Sequence, residues 1–141
     1  MTRRTLLYQI VAVLSVSPLV AGCDQDPFGQ NYRRIAGDYY ILQWEDGQTY
    51  YLEDDSTLRS EPGGGVVGGT ILEIGWKDNY IVVKRRSNFC GDADAWMIVN
   101  VRESTISGPH HELPAVNEVS DIKILEPKEA WSTLAKWWQL R

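Results

Sequence analysis

The sequence predicts an α+β fold that is mostly β, an antiparallel meander of five to seven strands with a C-terminal helix packed on the sheet. Segments rich in β-branched and aromatic residues alternate with turn residues through the middle of the 141-residue chain. The connections between them are too short for the helical crossovers that a parallel sheet requires. One amphipathic helical pattern follows near the end of the sequence.

The first predicted hairpin joins residues 38–45 to residues 48–53, and both segments are dense in β-forming side chains. Asp46-Gly47 between them indicates a two-residue turn, in which both positions need a positive φ. The register that follows pairs these residues across the hairpin: Ile41 with Leu52, Leu42 with Tyr51 and Trp44 with Thr49. Both faces are largely apolar, which favours burial of each face over an exposed aromatic patch.

Three further strands are predicted at residues 70–76, 80–86 and 95–101. Residues 77–79 turn the chain between the first two, and residues 87–94 form a loop before the third. Alternation places three apolar side chains of the first strand on one face: Leu72, Ile74 and Trp76. These strands form the centre of the predicted meander.

The end of the sequence is expected to add a last strand and the helix. Residues 119–125 alternate, with Ile122 and Ile124 facing inward. Pro127 suits the first turn of a helix, where a backbone N–H has no partner in any case. The pattern after it places five apolar residues on a stripe that packs on the sheet: Ala130, Trp131, Leu134, Ala135 and Trp138.

Two glycine-rich nucleotide motifs are excluded. Residues 63–68 formally match G-x-G-x-x-G, but a dinucleotide fingerprint needs a strand before it and a helix after it. A phosphate loop would need a lysine where Thr70 stands. The segment is therefore predicted to be a flexible loop or a bulged entry into the next strand.

The charge balance excludes nucleic acid as a partner. The chain carries 14 lysine and arginine residues against 19 aspartate and glutamate residues, a formal net charge of -5. Proteins that bind nucleic acid present a basic surface instead. One basic cluster, Lys84-Arg85-Arg86, ends a predicted strand and is interpreted as a solvated strand end.

The two histidines, His110 and His111, are adjacent and are followed by Glu112. Neighbouring histidines rarely chelate one ion, and the zinc-protease pattern H-E-x-x-H is absent. A surface loop after the break at residues 107–109 is the favoured interpretation. A small hydrolase or metal-binding enzyme that uses His110, His111 and Glu112 stays open as an alternative, and no catalytic, metal-binding or cofactor-binding residue is assigned.

The predicted 87–94 loop contains three residues that could carry chemistry. Asp92 and Asp94 lack the rest of a calcium loop, including its terminal glutamate, and are interpreted as solvated charges. Cys90 is expected to be a small buried hydrophobic residue, since lone cysteines are among the most buried residues.

The start of the chain contains Arg3 and Arg4, an apolar run over residues 6–20 and then the tetrapeptide Val20-Ala21-Gly22-Cys23. The run is shorter than the roughly 20 residues of a membrane-spanning helix. This order resembles the signal peptide and lipobox of bacterial lipoproteins. Short pieces farther along, such as residues 35–40 and 96–98, are also similar to small bacterial lipoproteins of unknown function.

The resemblance implies cleavage after Gly22, acylation of Cys23 and a place in the bacterial cell envelope, outside the cytoplasm. It divides the chain into a signal peptide (1–22), a lipidated cysteine with a flexible tether (23–34) and one β-rich domain (35–141). Asp24 slightly favours the inner membrane. Residues 2–7 also resemble a twin-arginine export signal, and general secretion is the alternative.

The leading functional hypothesis is a non-catalytic accessory or immunity-type binding module, anchored by membrane lipid at Cys23, with a protein or other envelope component as partner and no cofactor. An excess of aromatic residues, which often anchor interfaces, motivates it. Filling the core of a small domain is the favoured explanation of the same seven residues: Tyr39, Tyr40, Trp44, Tyr50, Tyr51, Trp76 and Trp96. The alternatives are the hydrolase or metal-binding enzyme and a structural envelope component.

Overall fold

The computed structural model describes residues 31–60 and 64–134, which form seven antiparallel strands in two sheets and two short helices. The first sheet contains β1 (Asn31–Ala36), β2 (Tyr39–Gln43) and β3 (Tyr50–Asp54). The second contains, in order, β4 (Gly69–Lys77), β5 (Tyr80–Ser87), β6 (Ala95–Asn100) and β7 (Thr105–His110). The helices are α1 (Asp55–Ser60) and α2 (Pro127–Thr133), and α2 contacts β4. The predicted fold class is confirmed.

Several predictions concern residues outside the described ranges. They are the signal peptide, acylated Cys23, Asp24, the first part of the tether, and Ala135 and Trp138 of the helical stripe. Within the described ranges, no helix is long and apolar enough to cross a membrane.

The register predicted for the first hairpin is confirmed. Ile41 lies opposite Leu52, Leu42 lies opposite Tyr51, and the backbone N–H of Trp44 donates to the carbonyl of Thr49 at 2.8 Å. The predicted two-residue turn is wrong, because Gly47 has a positive φ of 68° and Asp46 does not. The connection is a wider loop closed by the side chain of Asp46.

The Asp46 carboxylate accepts hydrogen bonds from the backbone N–H groups of Gln48 at 2.8 Å and Thr49 at 2.7 Å, and from the Thr49 hydroxyl. Aspartate favours turns because its side chain bonds the backbone just beyond it. The hydroxyl of Thr49 first, and then the two N–H groups, hold the pKa of the Asp46 carboxyl below its usual value.

We expect this loop to make stability sensitive to acid. A carboxyl with a lowered folded-state pKa contributes its full stabilisation above the unfolded value, about 3.9 for aspartate, and loses it as the pH falls through the folded pKa. Urea unfolding between pH 7 and pH 2.5 should therefore show a smaller acid-dependent loss in Asp46→Asn than in the wild type. Glu45→Gln, an exposed neighbour in the loop, is the control, and an equal reduction there would contradict the assignment.

One hydrophobic core joins the two sheets and α2. Both sheets and α2 contribute buried side chains, among them Ile41, Tyr50, Leu52, Ile74, Ile81, Val83, Val99, Ala130 and Trp131. The opposite face of the first hairpin is also largely covered, since Leu42 is fully buried and Tyr40 nearly so. The expectation that both hairpin faces are buried is confirmed at the strand centres.

Alternation fails in β4 at Leu72. The pairing of β4 with β5 shifts between Ile71 and Glu73, so that Leu72 is an extra residue in the strand. A bulge of this kind interrupts the two-residue period of a strand. Ile71 and Ile74 therefore enter the core, and the prediction that Leu72 shares that face is wrong.

The predicted strand at residues 119–125 does not form. Leu125 alone makes a bridge, with Ile74, through two backbone hydrogen bonds of 2.8 and 2.9 Å. The residues before it cover the outer face of the second sheet, where Val119 and Ile122 pack against Val82. These apolar residues pack on the sheet as a covering segment and do not pair with a neighbouring strand. The strand prediction is therefore wrong.

We expect Gly75→Ala to lower the free energy of unfolding by about 1–3 kcal/mol, the usual cost of overpacking. A Cβ atom at Gly75 would lie 2.5 Å from the carbonyl oxygen of Lys123 and 2.6 Å from Cγ2 of Ile122, both in the covering segment. Urea unfolding followed by circular dichroism measures the change. Gly64→Ala is the matched control, because its Cβ meets nothing nearer than Asn88, at 4.0 Å. Equal stability of the two variants would contradict close packing over Gly75.

Three elements were absent from the sequence prediction. β1 begins at Asn31, before the predicted domain boundary at residue 35, and α1 follows β3 directly. β7 contains the Ser107-Gly108-Pro109 segment that was expected to break the chain, with a cis peptide bond between Gly108 and Pro109. Proline is tolerated there because β7 is an edge strand, in which one side of the backbone needs no partner.

Arg33 of β1 ties the first sheet to the end of α2. Its Nη1 donates to the carbonyl oxygens of Trp131 at 2.5 Å and Leu134 at 3.1 Å, and its guanidinium carbon lies 4.4 Å from the centre of the Trp131 ring. The last carbonyls of a helix lack intrahelical partners and favour a nearby cation. No basic residue occupies the last turn of α2, so a residue from the sheet supplies the charge.

Candidate functional site

A cleft of about 170 Å³ lies at one end of the second sheet, and we call it the Arg85 cleft. β5, β6, β7 and the loop between β5 and β6 supply its lining: Arg85, Asp92, Ala93, Ala95, Pro109, His110 and His111. Arg85 lies opposite Ala95 in the ladder between β5 and β6. His110 lies opposite Trp96, the next residue of β6. Because β6 lies between β5 and β7, the ends of those two strands meet at one cleft.

Arg85 is buried because it continues the core-facing side of β5. Ile81 and Val83 of that strand are fully buried, and Arg85, two residues farther along, is 9% exposed. The predicted solvated strand end is therefore wrong for Arg85. It holds for Arg86, which is exposed and forms an ion pair of 3.6 Å with Asp94. The alternation of β5 separates the two arginines only once the core-facing side of the strand is known.

The guanidinium group of Arg85 is incompletely paired. Its Nη1 donates to the carbonyl of Gly68 at 3.1 Å, while its Nε is buried and has no hydrogen-bond partner. No carboxylate in the described residues forms an ion pair with it. Arginine is always charged in proteins, and a buried charge without a partner is costly. An acceptor from outside the chain would lower that cost.

The acidic residues near the cleft have their partners at the end of β5. Asp92 lines the cleft, and its carboxylate accepts from the Ser87 hydroxyl at 3.0 Å. Asp92 and Asp94 are both exposed, as predicted for solvated loop charges. Nowhere in residues 31–60 and 64–134 do three or more His, Cys, Asp or Glu residues group as they would to hold a metal ion.

The two histidines meet at the cleft, but Glu112 is not part of its lining. His110 ends β7 and is half-buried, so the predicted surface loop begins one residue later, at the exposed His111. Nε2 of His110 lies 3.4 Å from Oγ of Ser107. A nucleophile and its base usually lie within about 3.2 Å, with a third group orienting the base. His110 has no such carboxylate partner among the described ion pairs.

Cys90 is exposed, and the prediction of a buried cysteine is wrong. The reason is its place in the loop after β5, where residues 88–94 are all exposed and the neighbouring Phe89 is 71% exposed.

The aromatic residues mostly fill or border the core. Tyr39, Tyr40 and Tyr50 are buried. The remaining members of the predicted set are half-buried: Trp44, Tyr51, Trp76 and Trp96. Trp44 and Tyr51 contact each other edge-on, with ring centres 5.9 Å apart. The aromatic excess thus mainly serves packing, and the Arg85 cleft is the stronger candidate site.

Comparisons of the chain with protein-family models, with curated proteins and with solved structures found no match.

Proposed function

We propose that this chain is a non-catalytic binding module, held at a bacterial envelope membrane by acyl chains on Cys23. The observation that carries the binding function is the buried Arg85, whose charge has no ion-pair partner in the described part of the chain. Arg85 is one of the residues that line the cleft, so a ligand there that pairs with its guanidinium group is favoured. We therefore propose that this cleft recognises an envelope protein or another envelope component.

Support for the membrane anchor comes from the sequence. Arg3 and Arg4, the apolar run and the small residues before Cys23 occur in the order of a lipoprotein signal. Each buried methylene of an acyl chain adds about 0.8 kcal/mol of membrane affinity, so several chains give stable attachment. Asp24 slightly favours the inner membrane.

Replacement of each cysteine in turn tests the anchor. Cells expressing the wild-type chain, Cys23→Ser or Cys90→Ser are fed an alkyne fatty acid, and the purified chain is tested for the label. We expect label and membrane fractionation for the wild type and Cys90→Ser, and neither for Cys23→Ser. Label on Cys23→Ser, or none on the wild type, would refute the anchor.

A pull-down from detergent-solubilised membranes tests the binding function. We expect a stoichiometric partner with the tagged wild-type chain and loss of that partner with Arg85→Met. A partner that Arg85→Met retains would place recognition elsewhere on the chain. Recovery of no partner at all would favour a structural envelope component instead.

The rival proposal is a small hydrolase or metal-binding enzyme that uses His110, His111 and Glu112. The position of both histidines at the Arg85 cleft favours it. Hydrolysis of p-nitrophenyl acetate separates the proposals. A binding module should give the same rate as its His110→Ala variant, whereas a hydrolase that uses His110 should lose its rate on that substitution.

A further inference from the structure

We propose that the Arg85 cleft binds an oxyanion, namely the carboxylate or phosphate group of a ligand. The inference rests on the proposed binding function and names the chemical class of the group that is bound.

Arg85 is positioned as a fixed oxyanion donor. Its backbone lies in the ladder between β4 and β6, and the Gly68 carbonyl holds one end of the guanidinium group at 3.1 Å. A guanidinium group is a planar fork of five N–H donors that matches the oxygens of a carboxylate or phosphate. Because its position is fixed by the strand, little conformational entropy is lost when an anion binds.

The size of the cleft selects a small group. Its volume of about 170 Å³ equals roughly six water molecules in the liquid. Drug-sized ligands occupy about 300–1,000 Å³. One anionic group with a few neighbouring atoms therefore fills the cleft.

The other lining residues add hydrogen-bond donors, apolar surface and one opposing charge to the cleft. His110 and His111 add ring nitrogens that can donate, and Ala93, Ala95 and Pro109 add apolar surface. The carboxylate of Asp92 also lines the cleft and repels anions, although the Ser87 hydroxyl holds it. Attraction to Arg85 and repulsion from Asp92 both grow with the charge of the anion, so the lining is compatible with a carboxylate or a phosphate.

Thermal unfolding of the full-length chain in nonionic detergent at pH 7 tests the proposal. Sodium acetate and sodium phosphate are titrated against sodium chloride at equal ionic strength. A ligand that binds the folded state alone raises Tm in a saturable way. We expect acetate, phosphate or both to raise Tm by on the order of 5 °C at twenty times Kd. A rise that sodium chloride reproduces would overturn the proposal.

Two variants locate the effect. Arg85→Met should abolish the rise in Tm, while Arg102→Gln, which removes an exposed arginine beyond the other end of β6, should keep it. Retention of the rise by Arg85→Met would overturn the assignment. A second measurement on the unaltered chain avoids any effect of substitution on folding. The NMR signal of the Arg85 Nε–H group should shift and saturate with the same Kd, and a signal that does not move would contradict the site.

The arms of the titration also identify the source of the anion. Dihexanoyl phosphatidylglycerol below its micelle concentration presents a lipid phosphodiester in soluble form. Stabilisation by this lipid and not by inorganic phosphate indicates a headgroup, and the reverse indicates a soluble anion. These readouts do not require Cys23 to carry lipid, so failure of the anchor and failure of the oxyanion site are distinguishable.

Discussion

Replacement of Trp131 by alanine is expected to lower the free energy of unfolding by about 3–5 kcal/mol, the range for removal of a large buried aromatic side chain. Trp131 is 9% exposed and lies in the core that joins both sheets to α2. Its ring centre is 6.1 Å from that of Tyr50, and the guanidinium carbon of Arg33 lies over the Trp131 ring, 4.4 Å from its centre. Small domains have only about 5–15 kcal/mol of stability. The variant should therefore be partly unfolded at room temperature in moderate urea.

Urea unfolding followed by far-ultraviolet circular dichroism measures this change without relying on tryptophan fluorescence. Lys128→Ala, an exposed position of the same helix, is the control and should change stability by less than about 0.5 kcal/mol. A loss below about 1 kcal/mol for Trp131→Ala would be too small for a buried aromatic residue. That result would contradict the docking of α2 in the core.

A double-mutant cycle separates the ring from the hydrogen bonds at this contact. Arg33 donates to the backbone carbonyls of Trp131 and Leu134, and these bonds can persist when the ring is removed. The cation–π contact cannot. We expect Arg33→Met and Trp131→Ala to be coupled by about 0.5–2 kcal/mol. Additive losses would mean that the stacked geometry adds nothing beyond the hydrogen bonds.

The hairpins were predictable because their information is local. The pairing of Ile41 with Leu52 follows from the position of a turn signal between two apolar segments, and the structure has that register although the turn itself is different. The strand at β7 was missed because it is an edge, where exposed side chains and Pro109 give no apolar alternation. The segment before Leu125 shows the opposite error. Its apolar residues cover the second sheet, and alternation alone does not distinguish a cover from a strand.

The candidate site could not be predicted from the cluster of basic residues in the sequence. Lys84, Arg85 and Arg86 are neighbours in sequence, but the alternation of β5 turns Arg85 inward and leaves Arg86 exposed. Choosing the inward face requires the location of the core, which depends on the distant packing of both sheets. The approach of His110 to Arg85 is also non-local, because it depends on β6 lying between β5 and β7.

Replacement of Arg85 by methionine is expected to raise the free energy of unfolding by about 1–4 kcal/mol, as when a buried charge gives way to an apolar side chain of similar volume. Methionine is long and unbranched and can fill the space of the arginine stem. The substitution removes a buried Nε–H group that has no partner. It leaves no orphan acceptor, because the Gly68 carbonyl also accepts the backbone N–H of Asn88 at 3.2 Å.

Urea unfolding at low concentrations of phosphate and carboxylate measures this gain, and Arg86→Met is the matched control. Arg86 is exposed and its ion pair with Asp94 lies at the surface, so that variant should change stability by less than about 1 kcal/mol. A loss of stability in Arg85→Met would mean that the folded chain already satisfies the guanidinium group. The cleft would then have no need of an external acceptor. A gain, in contrast, means that the chain keeps a destabilising charge at this position, and such a cost is typical of residues that are retained for binding.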